Sequence, residues 1–151
     1  MIAAFSWVMR LFAMVFLLAA LFLFFGPPPL HVTSASLKQA EYARGATIEV
    51  DYVAHKPWWS PRACKPISAT LRIIDADYRD FTRAVSFGFN NSTGEVRLAR
   101  PHTIPMSATP GPAVIYEVVQ YECLGFIART VEAPRVEFQI VDAKYLQGVG
   151  P

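Results

Sequence analysis

The chain has 151 residues, 53% of them hydrophobic, and a formal net charge of +2. That length fits a single domain. Acidic and basic residues alternate through the body with no basic run, which argues against nucleic acid as a partner.

The apolar residues are unevenly placed. Ile2–Phe25 contains a single charged residue, Arg10, and Leu11–Phe25 has no polar residue at all. About 20 apolar residues in a helix cross a bilayer core. Leu, Phe, Ala and Met favour or tolerate helix, and Pro27-Pro28-Pro29 ends it. The expectation is a transmembrane helix over 2–25, with Arg10 snorkelling to one surface. A cleaved secretory signal would carry a shorter apolar region and small residues at its cleavage site. Here "LFLFF" follows Ala19-Ala20, so an uncleaved signal anchor is the expected form. The amino-terminal tail is short, which places it in the cytoplasm and the body outside, although the charge bias is slight. "GPPPL", residues 26–30, is a stiff spacer.

Residues 31–142 make one domain, and residues 143–151 a tail. Period two dominates that domain. A first strand is expected near Val32–Leu37. "LKQAEYARG" holds one helical turn at most. In "ATIEVDYV" Ile48, Val50 and Tyr52 share a face. "ATLRI" alternates Leu71 and Ile73 with Thr70 and Arg72, and "FTRAVSFGF" sets Phe81, Val85, Phe87 and Phe89 on one side. "EVRLAR" contributes Val96 and Leu98, and "RVEFQI" contributes Val136, Phe138 and Ile140. With the run Val114–Cys123, about seven half-buried antiparallel strands are expected. "DADYRD" and "NNSTG" are turns between them. "RPHTIPMSATPGP", Arg100–Pro112, is too rich in proline for a central strand and is expected to be a long crossing loop. The fold class is all-β, a two-sheet sandwich.

Between the second and third runs lies "HKPWWSPRAC". Adjacent residues of an extended segment point to opposite sides. One of Trp58 and Trp59 can therefore cover the core edge while the other faces outward. The outward one is a candidate contact for a protein partner or an anchor in the lipid headgroup layer. The third possibility is that both cap the open end of the sandwich.

Cys64 and Cys123 are the only cysteines. An even count favours a disulfide in an extracytoplasmic domain, whereas two buried thiols would suit a cytoplasmic one. Tyr121 stands two residues before Cys123. "PGPAVIYEVVQYEC" resembles the penultimate strand of an immunoglobulin-like sandwich, whose structural tyrosine has this offset. "YARGATIEVDYV" resembles the early strands of such domains. The chain departs from the antibody pattern, because Cys64 lies after the second strand in a proline-rich loop and not in the middle of that strand, so the expected bridge runs from this loop to the strand end at Cys123.

The remaining polar residues do not form a catalytic constellation. His31, His55 and His102 have no ligand-spaced neighbour. His102 and Met106, in "HTIPM", could serve a soft metal only with further ligands. Asp75, Asp77 and Asp80 lack the spacing of a calcium loop and fit an Asx-type turn. No serine sits in a nucleophile motif, and no glycine loop would cradle phosphate. Asn90 and Asn91 begin overlapping glycosylation acceptors that matter only in a eukaryotic secretory host. No catalytic residue, metal or cofactor is expected. The sequence therefore points to a non-enzymatic interaction or structural module of the cell envelope or of a membrane protein complex. It would be held by residues 2–25 in a bacterial inner membrane, with the domain in the periplasm and an unidentified protein partner. The chain also bears a loose likeness to small anchored envelope proteins of bacteria or their phages. A metal or cofactor delivery protein is the alternative, and it would depend on His102, Met106 or the cysteines.

Overall fold

The computed structural model describes residues 2–26, 28–86 and 92–142. Phe87, Phe89, Asn90, Asn91 and the tail 143–151 lie outside the described residues.

The amino-terminal run forms helix α1 (Ile2–Phe25). It closes where the Gly26 N–H donates to the Phe22 carbonyl at 2.6 Å. A Cβ at Gly26 would stand 2.1 Å from that same oxygen, so the joint accepts only glycine without moving. Among the described residues no helix is long and apolar enough to cross a membrane. This corrects the expected span over 2–25.

Nine strand segments follow among the described residues. They are β1 (His31–Leu37), β2 (Glu41–Ala43), β3 (Thr47–Lys56), β4 (Cys64–Ile74), β5 (Asp80–Ala84), β6 (Gly94–Thr103), β7 (Gly111–Cys123), β8 (Ile127–Glu132) and β9 (Val136–Val141). A single helical turn, α2 (Ser60–Ala63), precedes β4. One sheet has the order β1-β3-β6. The other runs β2-β9-β7-β4-β5, with β8 also paired to β7. All pairs are antiparallel except β2 with β9. The result is a mostly β, two-sheet arrangement with one amino-terminal helix.

β7 is the spine of the larger sheet. Along one edge it pairs with β4 from Val114 to Cys123. Along the other, Gly111–Ile115 pair with β9 and Val118–Cys123 with β8. β8 and β9 are thus one strand path broken at Pro134, and Ala133 N–H still reaches the Glu117 carbonyl at 2.8 Å. The alternation read from the sequence sets the core. Ile48, Val50 and Tyr52 meet Leu71, Ile73, Ile115, Phe138 and Ile140 between the sheets.

The expected crossing loop is shorter than Arg100–Pro112. β6 continues through Pro101, opposite Glu49, to Thr103. β6 is an edge strand, where a proline can sit without costing a ladder bond. The loop therefore covers only 104–110. β2 replaces the helical turn expected in "LKQAEYARG", pairing in parallel with the carboxy-terminal β9. β5 stops at Ala84, earlier than the run of alternating phenylalanines implied.

Asp75 holds the turn after β4. Its side chain is fully buried. Oδ1 accepts from the backbone N–H of Asp77 and Arg79, and Oδ2 from Thr109 N–H at 2.8 Å and Arg79 Nε at 3.0 Å. Arg79 also donates to the Ser107 carbonyl at 2.7 Å. The Asx-type turn is thereby clamped to the loop before β7. Burial alone would raise the Asp75 pKa, but these donors outweigh it and hold the carboxyl below the usual range. A depressed folded pKa gives stability that is present above the ordinary carboxylate pKa and lost as pH falls through the folded value. Asp75→Ala should cost about 3 kcal/mol in denaturant unfolding at pH 7. The gap from wild type should narrow once the pH drops below about 4.

Candidate functional site

The candidate site is the end of the sandwich where α1 enters. Cys64 opens β4 and Cys123 closes β7. The two face each other in register, with Cα atoms 3.9 Å apart, and form a disulfide. The bridge was expected to leave a loop. It instead ties two neighbouring strands of one sheet, because α2 turns the chain into extended backbone at Cys64 itself. Tyr121 is buried on the same face of β7, and burial followed by the Glu117 charge pushes its phenol up to about 12. Ala69, Val119, Ile127 and Val131 complete a small apolar cluster with the bridge, and Leu30, Val32 and Trp59 pack against it. A disulfide is consistent with an oxidising, extracytoplasmic location.

Trp58 and Trp59 lie in a turn entering α2, not in extended chain. They still divide between inside and outside. Trp59 packs on the disulfide cluster and meets Phe22 of α1 edge-to-face, with ring centroids 5.6 Å apart. Trp58 is 73% exposed.

Arg129 makes the second contact with the helix. It occupies an inward position of β8, between Ile127 and Val131. Its guanidinium donates to the Phe24 carbonyl at 3.2 Å and the Gly26 carbonyl at 3.1 Å. The last carbonyls of a helix lack internal donors, and a cation there also suits the helix dipole. Arg129 and Gly26 did not figure among the sequence candidates. The available signal was a charged residue at the buried phase of "IARTVE", visible only once that run is known to be a strand.

The β7–β8 turn projects from this same end. Leu124 and Gly125 both have positive φ, 53° and 78°, and Phe126 N–H donates to the Cys123 carbonyl at 3.3 Å. Glycine takes such a backbone freely and leucine does not. Leu124 N–H also donates to the Ala63 carbonyl of α2 at 2.7 Å. Leu124 and Phe126 are both exposed.

The other candidates lie apart. His31 and His55 are exposed and face each other across β1 and β3. His102 is buried at the far end of β6, and its Nε2 has no hydrogen-bond partner among the described residues. Burial, aided by Arg100 and Arg83, lowers it to about 4. Met106 is exposed on the following loop. Among the described residues no group of three or more His, Cys, Asp or Glu side chains is placed to hold a metal. A polar pair missed in the sequence sits between the sheets. Glu117 and Tyr52 line a cavity of about 30 Å³ with Leu98, Val119 and Val131. Burial raises the Glu117 pKa, against the opposing pull of Arg100. Its signal was an acid at an inward position of β7, between Ile115 and Val119.

The chain matches no protein-family model and no curated protein. Among solved structures it is distantly similar to the alkylpurine DNA glycosylase AlkC of Pseudomonas fluorescens, bound to DNA containing an abasic site analog. The identity is 14% and the TM-score 0.46, over 75% of this chain and 30% of that one. It is also similar to the sporulation control protein Spo0M of Bacillus subtilis, at 12% identity and a TM-score of 0.39, over 80% of this chain and 53% of the other. The chain thus spans about a third and about half of these two proteins.

Two outcomes follow from the site. Cys64 and Cys123 are separated by 59 positions, so reduction should lower the unfolding free energy by about 4 kcal/mol on the chain-entropy model. Urea titration with and without reductant measures this. For Glu117 the folded pKa is raised, so its contribution falls as pH climbs above the ordinary carboxylate pKa. Glu117→Gln should therefore gain on the order of 1 kcal/mol at pH 7 and nothing at pH 4, read by thermal melts at both values.

Proposed function

We propose that this protein is a membrane-attached, immunoglobulin-like β-sandwich on the extracytoplasmic side of a bacterial inner membrane. Its role is that of a non-enzymatic interaction or structural module of the envelope or of a membrane protein complex. The observation that carries the reading is α1. Its described side chains, Trp7, Phe12, Phe16 and Leu17 among them, are exposed on every face. A helix apolar all round needs an apolar surrounding, and lipid supplies one directly beside the base of the sandwich. The disulfide supports the outside location.

The strand order supports the finer fold reading. A short strand beside the last one in parallel, with three strands in one sheet and the remainder in the other, fits an immunoglobulin-like plan. The bridge departs from the antibody pattern, since it joins β4 to β7 within one sheet.

The test uses the full chain expressed in a bacterial host. The protein should stay in the membrane pellet through alkaline carbonate extraction. Protease added to spheroplasts should digest the body, and thiol reagents should find no free cysteine before reduction. Release by carbonate would defeat the attachment, and protection from protease would defeat the orientation.

A further inference from the structure

We propose that the base of the sandwich is itself a lipid-contacting surface, with Trp58 and the hairpin tip Leu124-Gly125-Phe126 seated in the headgroup layer beside α1. This rests on the reading that α1 buries its apolar surface in lipid.

Three observations place these residues together. Trp58 immediately precedes Trp59, and Trp59 touches Phe22 near the end of α1. The hairpin tip is hydrogen-bonded to α2 through Leu124 N–H and the Ala63 carbonyl. β8, which leads away from that tip, sends Arg129 to the Phe24 and Gly26 carbonyls. Trp58 and the hairpin tip are therefore fixed around the point where α1 leaves the domain.

Their chemistry fits an interface between water and lipid. Trp58 is 73% exposed and Phe126 62%. Tryptophan is enriched at the headgroup level, where its ring and its N–H can each find a suitable surrounding. Leu124 is a large apolar residue held at φ 53°, a backbone that a leucine adopts only at some cost. A polar Asn would serve the turn with less strain, so the apolar side chain has a use at the tip. Lipid is the occupant that α1 already brings to this end. The contact adds to attachment by α1 and sets the tilt of the domain against the membrane surface.

The experiment reconstitutes the full chain in phosphatidylcholine vesicles brominated on the acyl chains either near the headgroup or near the chain end. Four variants each leave one tryptophan or one replacement. One retains only Trp58. A second carries Phe126→Trp with the native tryptophans changed to Phe. A third carries Phe16→Trp in the same background and reports on α1. A fourth retains only Trp59 and reports a packed position. A thiol assay confirms the disulfide in each.

The expected result is loss of emission at positions 58 and 126, greater with bromine near the headgroup. Position 16 should lose emission as well, reporting contact of α1 with lipid. Quenching at 16 with none at 58 or 126 would overturn the lipid-contacting base while leaving α1 in lipid. Quenching at only one of 58 and 126 would also overturn the shared contact. Absence of quenching at 16 would remove the attachment on which the inference rests, and both readings would fall.

Discussion

The ladder between β4 and β7 is the constraint on which the remainder depends. It runs the length of β4, from Cys64 to Ile74, and carries the disulfide at its end. Its register sets Leu71, Ile73, Ile115 and Val119 toward the other sheet. A slip by one residue would turn all of them outward. The covalent bond at Cys64–Cys123 fixes that register from one end, and the Asp75 clamp fixes it from the other. β8, β9 and β5 then add to edges whose positions are already determined.

Much of this was legible as alternation. The runs at Ile48–Tyr52, Leu71–Ile73 and Val136–Ile140 are half-buried strands because each presents one apolar face, and the structure pairs them as that pattern requires. β2 and β8 were not legible. β2 has three residues, too few to show a period, and its existence depends on a parallel partner nearly a hundred residues later. β8 carries Arg129 at an inward position, which breaks the apolar pattern for a reason that lies in α1. Pro101 misled in the opposite direction, because proline marks a loop only where the strand is central, and β6 is an edge.

The site was legible in its chemistry and not in its geometry. Two cysteines and a tyrosine two residues earlier sufficed to bring Cys64, Cys123 and Tyr121 together. The division of Trp58 and Trp59 followed from reasoning about extended chain, yet a turn produces it. What joins helix to domain, a glycine whose position leaves no room for a Cβ and an arginine reaching from β8, needs the folded backbone to be seen. Glu117 is similar: its alternation phase was available in the sequence, but the cavity and the facing Tyr52 belong to the packed sheets.

Arg129 and Trp59 hold α1 from two different parts of the domain, one from β8 and one from the turn before α2. A single covalent linker would let the sandwich swivel about the helix axis. Two lateral holds oppose that rotation and favour one azimuth of the body around α1. Any neighbour lying alongside the helix then meets the same flank of the sandwich each time, so the joint acts as a compass for the molecule as well as a tether.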